Sequence, residues 1–129
     1  MPARSSKPSR TLSGSLGCAA RGLRYAATTQ RNLRIHLAAG TAAIAAGWWL
    51  QLDPVEWAVL GLTVTLVLVA ELLNTAVEVL VDLVSPERRQ QAMLIKDMTA
   101  GAVLVCCLNA LLVGAVLLLP RLLQRGVRF

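Results

Sequence analysis

The sequence predicts an all-α integral membrane protein with three transmembrane helices and an N-terminal amphipathic helix on the membrane surface. Its 129 residues are 56% hydrophobic and only 16% charged, whereas an average soluble domain carries roughly 25% charged residues. A chain of this size has a large surface to cover with polar groups, and this composition cannot cover it. The composition therefore argues against a soluble monomer, a disordered chain and a disulfide-rich secreted domain.

The N-terminal region divides into a tail and a surface helix. Residues 1–15 are rich in Ser, Pro, Arg and Lys and are predicted to form a flexible basic tail. In residues 16–29, apolar side chains such as Leu16 and Leu23 recur at helical spacing, while Arg21 points elsewhere. This pattern is typical of a short amphipathic helix that lies on a membrane.

Three apolar segments are predicted to span the membrane, at about residues 35–52, 55–84 and 98–119. A spanning helix needs roughly 20 residues, so the first and third segments fit directly. The second is roughly 45 Å long at 1.5 Å per residue, so its far end should extend into the aqueous interface. Small residues recur every four positions in the first and third segments, which predicts close helix packing and an oligomer of unspecified number. Residues 120–129 are predicted to form a basic C-terminal tail.

The basic residues follow a membrane pattern rather than that of a nucleic-acid-binding protein. The net charge is +6, but residues 1–34 hold seven Lys and Arg, the 85–97 loop three, the C-terminal tail three and the loop at Asp53 none. With three spans, ten basic residues lie on the side of the N-terminus and three on the other. The positive-inside rule therefore predicts a cytoplasmic N-terminus and a multi-pass topology, and we expect no nucleic-acid partner.

Polar side chains recur along one face of the second predicted span. Glu71, Asn74, Glu78 and Asp82 are separated by three, four and four residues, which places them on one side of an α-helix. An ionisable group within the membrane costs at least ~2.5 kcal/mol on the mildest scale. These residues are therefore expected to face a polar site or a partner helix.

Carboxylates, an amide and a nearby lysine are suited to phosphoryl transfer at a membrane. Carboxylates bind Mg²⁺, which bridges the phosphates of a nucleotide, and Lys96 can neutralise phosphate charge. The deeper carboxylate, Glu71, can accept a proton from a lipid hydroxyl. The sequence contains neither GxxxxGK[ST] nor a kinase glycine loop, so nucleotide binding would be of another kind.

Two non-enzymatic interpretations remain open from the residues alone. An ion or proton pathway also buries a carboxylate between helices, and a membrane assembly subunit could pair polar side chains across an interface. One buried acid would suffice for a proton pathway, and Asn74, Lys96 and Asp97 would then have no role.

The motifs resemble those of the small prokaryotic diacylglycerol kinase family, which includes the undecaprenol kinases. The matching pieces are RNLRIH at 31–36, EW at 56–57, ELLNTAVE at 71–78, VD at 81–82 and KDMTAGAVL at 96–104. The resemblance covers about residues 16–119. The RIH stretch, the EW pair and the SPE that follows the second span look more like the undecaprenol kinase branch, whereas the acceptor lipid itself is not fixed by the sequence.

The resemblance implies a homotrimer in the bacterial inner membrane that phosphorylates a lipid alcohol with ATP and Mg²⁺ at sites shared between subunits. The resemblance implies that Glu71 is the catalytic base, that Asn74 is a second catalytic residue, and that Glu78 binds the metal. The family's second metal-binding glutamate is replaced by Gln30, whose amide oxygen is a weaker ligand. The implied ATP contacts are Lys96, Asp97, Glu87, Arg88 and Arg89. The implied substrate contacts are Asn32, Arg34, His36 and Ala100.

Overall fold

The computed structural model describes residues 11–87 and 89–126, and it builds them almost entirely from helices. Their bounds are α1 Leu12–Thr29, α2 Arg31–Leu50, α3 Pro54–Val84 and α4 Gln90–Gly126. No strand occurs within these two ranges. The all-α prediction is therefore confirmed for the described part of the chain.

The surface helix begins four residues earlier than the sequence pattern indicates. Thr11 is the N-cap of α1, and its hydroxyl oxygen accepts a hydrogen bond from the backbone N–H of Gly14 at 3.3 Å. A threonine at this position satisfies one of the free N–H groups at a helix start. Apolar side chains along α1, among them Leu12 and Leu23, are exposed, as expected for a helix that lies against lipid. Residues 1–10 of the predicted tail lie outside the described residues.

The chain passes from α1 to α2 through the single extended residue Gln30. Its backbone N–H donates to the carbonyl oxygen of Ala26 at 2.8 Å. Arg34 donates to the carbonyl oxygens of Ala27 and Thr28 at 3.3 and 3.0 Å, so a cation satisfies the last carbonyls of α1. α2 therefore starts four residues before the predicted span.

A tight connection joins α2 to α3. Gln51 adopts the left-handed conformation with φ 56°, and the backbone N–H of Leu52 donates to the carbonyl oxygen of Gly47 at 3.2 Å. Asp53 then caps α3 in a capping box with Glu56. Because each of the two side chains accepts a backbone N–H of the other residue, the start of α3 is firmly fixed.

α4 is much longer than the predicted span, which the sequence placed at 98–119. It begins at Gln90 and continues through Pro120 to Gly126. Proline removes one backbone hydrogen bond from a helix, but membrane helices tolerate it more readily than soluble ones. Seven of the ten residues assigned to a C-terminal tail are thus helical, and residues 127–129 lie outside the described part.

Two of the described helices, α3 and α4, are long and apolar enough to cross a membrane. α2, the first predicted span, is not among them, because it begins with the polar sequence RNLRIH and is rich in Ala and Gly. Large apolar side chains of α4, such as Leu104, Leu111 and Leu112, are exposed. These features are consistent with a membrane protein.

Two glycines allow α2 to pack closely against α3. A Cβ atom at Gly40 would lie 2.9 Å from Cγ1 of Val64, and one at Gly47 would lie 3.1 Å from Cη2 of Trp57. The alanine repeat that was expected to pack closely starts at Ala38, which is exposed. The close contact within the chain therefore uses a different face of α2 from the one the repeat indicated.

Candidate functional site

The inward face of α3 carries both the apolar core and the polar residues of the site. From Leu60 to Asn74 its buried residues recur every three or four positions. The full set is Leu60, Thr63, Val67, Glu71, Asn74, Thr75 and Val81. α4 supplies the most extensive packing against α3, and α2 the next most. Of the predicted polar face, Glu71 and Asn74 are buried, Glu78 is half-buried and Asp82 is exposed. The face therefore runs from the helix core to the loop after α3.

Glu71 is the most deeply buried ionisable side chain of the described residues. It is 2% exposed, and the hydroxyl of Thr75 donates to its backbone carbonyl oxygen at 3.0 Å. Its carboxyl group lies within electrostatic range of His36, Glu78 and Cys107. A carboxyl group in this position costs free energy unless a ligand, a proton or a cation compensates it.

Asn74 and Glu78 form a hydrogen-bonded pair one helical turn apart. The Nδ2 amide of Asn74 donates to Oε1 of Glu78 at 3.0 Å. The Oδ1 oxygen of Asn74 is buried and has no hydrogen-bond partner. A buried polar oxygen without a partner calls for an explanation, such as an ion or a ligand that completes its coordination.

These oxygens fit a magnesium site of the kind that is completed by substrate. Mg²⁺ is usually held by one or two carboxylates together with substrate phosphates. Among residues 11–87 and 89–126, no group of three His, Cys, Asp or Glu side chains could hold a metal on its own. Gln30, the other predicted ligand, is half-buried at the α1–α2 junction, and its side chain makes no capping hydrogen bond.

Lys96 and Asp82 meet across the α3–α4 hairpin. The ammonium Nζ of Lys96 donates to Oδ1 of Asp82 at 2.5 Å. Both side chains line a cavity of about 250 Å³ that also includes Ser85 and Glu87. The sequence predicts a lysine near the carboxylates of the second span, but it does not predict the direct ion pair between Lys96 and Asp82.

The predicted nucleotide-contact residues of the α3–α4 loop lie close to this cavity. The carboxylate of Glu87 accepts hydrogen bonds from the guanidinium of Arg89 at 3.2 and 3.3 Å. The hydroxyl of Ser85 donates to the carbonyl oxygen of Glu87 at 3.2 Å. Asp97 is exposed about two turns into α4, and Arg88 lies outside the described residues.

The four predicted substrate residues are not gathered in one place. His36 lies in an apolar cavity of about 310 Å³ between α2, α3 and α4, and its Nε2 is 3.8 Å from Sγ of Cys107. Asn32 and Ala100 are exposed, and Arg34 is hydrogen-bonded to the end of α1. Of this set, His36 lies within electrostatic range of Glu71.

A second ion pair joins α3 to α4 at the opposite end of the hairpin. The guanidinium of Arg121 contacts Oε1 of Glu56, and the guanidinium of Arg125 lies over the ring of Trp49, 5.1 Å from its centroid. The sequence does not predict the Glu56–Arg121 pair, because 65 residues separate its partners and no spacing rule relates them.

Comparison with known proteins relates this chain to kinases of a single prokaryotic family. A family model described as prokaryotic diacylglycerol kinase matches residues 17–118. A diacylglycerol kinase of Synechocystis sp. is 50% identical over 104 residues, which make up 80% of this chain and 59% of that relative. An undecaprenol kinase of Bacillus subtilis is 36% identical over 104 residues, 81% of this chain and 85% of the relative. A diacylglycerol kinase of Escherichia coli is 32% identical over 98 residues, 76% and 80% of the two chains. The chain thus spans less than two thirds of the Synechocystis relative and most of the other two.

Proposed function

The chain belongs to the prokaryotic diacylglycerol kinase family, and from this premise we propose that it is an integral membrane lipid kinase. It transfers the γ-phosphate of ATP to the hydroxyl of a membrane lipid alcohol, diacylglycerol or undecaprenol. The observation that carries this proposal is Glu71, a buried carboxyl group in a helix apolar enough to span a membrane. The unpartnered Oδ1 of Asn74 and the carboxylate of Glu78 lie on the same side of that helix, and Lys96 of α4 contacts Asp82 near its end.

Glu71 acts as the general base of the proposed reaction. Its carboxylate accepts the proton of the lipid hydroxyl while the hydroxyl oxygen forms a bond to the γ-phosphorus of ATP. The bond between the γ-phosphorus and the bridging oxygen breaks, and ADP leaves with that oxygen. His36 lies close to Glu71 and lines the apolar cavity, so it is placed to contact the lipid beside its hydroxyl.

The phosphates of ATP are held nearer to the α3–α4 loop. Glu78 and the unpartnered Oδ1 of Asn74 would hold Mg²⁺, with Gln30 as a weaker third ligand. When bound, the metal neutralises phosphate charge and orients the γ-phosphate. Lys96 adds a cation at the phosphates, and the loop residues Glu87 to Arg89, together with Asp97, contact the rest of the nucleotide.

Assembly and topology form part of the same proposal. α2 has 20 residues and is about 30 Å long, enough to cross the hydrocarbon core and so to give three spans together with α3 and α4. We propose a homotrimer in the bacterial inner membrane with a cytoplasmic N-terminus. Residues 85–97, which form the α3–α4 loop and the first two turns of α4, then face cytoplasmic ATP, which is consistent with their basic residues.

An acceptor assay tests the proposal and identifies the lipid. Purified protein is given Mg-ATP, and diacylglycerol and undecaprenol are offered separately in mixed micelles. Phosphorylation of one or both lipids, dependent on Mg²⁺ and ATP, supports the proposal. Failure to phosphorylate any lipid alcohol, together with proton flux through reconstituted protein, would replace the kinase by the proton-pathway alternative.

A further inference from the structure

Asp82 has no role in the proposed reaction, yet it holds a residue that does. Its Oδ1 atom accepts a hydrogen bond from Nζ of Lys96 at 2.5 Å, and 14 residues separate the two in sequence. The side chain of Lys96 is 35% exposed and that of Asp82 is 66% exposed. The pair therefore lies at the surface of the hairpin, where an isolated ion pair adds little to stability. A contribution to folding alone is a weak explanation for its presence.

The position of the pair relates it to the phosphates. Asp82 lies one helical turn beyond Glu78, about 6 Å further along the axis of α3. Of the described residues that line the 250 Å³ cavity, Lys96 is the one cation, and Asp82 and Glu87 are its acids. Phosphates held at Glu78 therefore come within reach of the Lys96 ammonium if that group stays where Asp82 holds it.

We propose that Asp82 is a positioning residue that fixes the ammonium group of Lys96 for contact with the nucleotide phosphates. This inference rests on the proposed function, because it takes ATP as the ligand. A lysine side chain has four carbons and many rotamers, and an ion pair formed in advance reduces the freedom lost on binding. An ammonium has three N–H donors, so two remain for phosphate oxygens after Asp82 has accepted one.

The direction in which Asp82→Asn changes nucleotide affinity distinguishes a positioning role from a simple effect of charge. Asp82→Asn removes a negative charge beside the polyphosphate, so Coulomb attraction alone predicts tighter nucleotide binding. If Asp82 positions Lys96, the same change releases the ammonium and weakens binding. The two effects have opposite signs.

The test measures the affinity of the full-length protein in detergent for Mg²⁺ with a non-hydrolysable ATP analogue, by calorimetry and without lipid. We expect Asp82→Asn to weaken binding about five- to tenfold, the size of the loss of one ordinary hydrogen bond. Asp82→Glu should restore most of the affinity. In a Lys96→Met background, Asp82→Asn should no longer weaken binding, because the interaction that it removes is already absent. Only the tightening expected from the lost negative charge should remain.

Asp53→Asn is the matched control. It makes the same chemical change at the other end of α3, and asparagine caps a helix about as well as aspartate, so nucleotide affinity should not change. Size-exclusion profiles check that each variant keeps the wild-type assembly.

Equal or tighter binding by Asp82→Asn would overturn the inference. A loss that persists in the Lys96→Met background would also overturn it, because Asp82 would then act on the ligand itself. Absence of nucleotide binding by the wild type would overturn the inference as well. A wild type that binds nucleotide but phosphorylates no lipid would count against the proposed function alone, since this measurement contains no lipid.

Discussion

The two ends of the α3–α4 hairpin each carry an ion pair between the helices, but their surroundings differ. Glu56 and Arg121 are mostly buried, at 22% and 29% side-chain exposure. Both carboxylate oxygens of Glu56 are used, one by Arg121 and the other by the backbone N–H of Asp53. At the other end, Lys96 and Asp82 are more exposed and border an open cavity.

This difference separates a structural contact from a candidate binding site. At the Glu56–Arg121 end, the polar groups satisfy one another, and the capping box and the Arg125–Trp49 contact hold the helix ends together. At the Asp82–Lys96 end, Lys96 keeps donors to spare, and further up the helix the Oδ1 atom of Asn74 has no partner. Polar groups that are left open are the ones a ligand can complete.

The largest effect is expected at Glu71. Glu71→Gln keeps the size of the side chain but removes the base, so turnover should fall by at least ~10²-fold, the typical contribution of general base catalysis. Assembly and Mg-nucleotide binding should persist, as size-exclusion chromatography and calorimetry would show. Near-normal lipid phosphorylation by this variant would remove Glu71 from the chemistry.

The next effect is expected at Glu78. Glu78→Gln should raise the magnesium concentration for half-maximal rate about tenfold or more, since even groups outside the metal's direct ligands matter to that degree. The apparent affinity for lipid should change little. A magnesium titration at fixed lipid measures the first quantity, and a lipid titration at saturating magnesium measures the second. Equal shifts in both would contradict a metal-binding role.

A smaller effect, in the opposite direction, is expected at Gln30. Gln30→Glu adds an anionic oxygen, which magnesium prefers to an amide, so the magnesium concentration for half-maximal rate should fall a few-fold. The same titration would detect it. If the curve does not move while that of Glu78→Gln does, Gln30 only joins α1 to α2.

The smallest effect on activity is expected at the opposite end of the hairpin. Glu56→Gln breaks the pair with Arg121 but leaves an oxygen for the N–H of Asp53. The melting temperature in detergent should fall by a few degrees, while turnover stays within about twofold of wild type, because the pair lies about 22 Å along the axis from Glu71. A large loss of turnover without a change in melting temperature would show that the Glu56–Arg121 pair contributes to activity, and would contradict the assignment of that end of the hairpin as purely structural.

Much of the fold followed from local patterns in the sequence. The predicted span 55–84 agrees with α3 at Pro54–Val84, and the three- and four-residue spacing placed Glu71, Asn74 and Glu78 on the inward face. Helix ends were less accurate, because they depend on single contacts. Thr11 extends α1 through a side-chain cap, and α4 continues past Pro120 although proline usually predicts an end.

The contacts of the site were harder to predict than its residues. Asp82–Lys96 and Glu56–Arg121 both join α3 to α4. Such pairs depend on the register between the two helices, which is set by their packing and does not follow from spacing in the sequence. Gly40 and Gly47, which set how closely α2 approaches α3, look in the sequence like any other small residues. The motif shared with the family supplied the candidate residues, whereas the tertiary structure shows which of them lie together.

The central claim is that phosphoryl transfer takes place at the Asp82–Lys96 end of the hairpin, on the cytoplasmic side of the membrane. Sealed vesicles of inside-out and right-side-out orientation would be given Mg-ATP labelled at the γ-phosphate, which does not cross the bilayer, with lipid alcohol in the membrane. Label should enter the lipid fraction in inside-out vesicles and stay out of it in right-side-out ones. Label that enters from the Arg121 side, or from neither side, would contradict the claim.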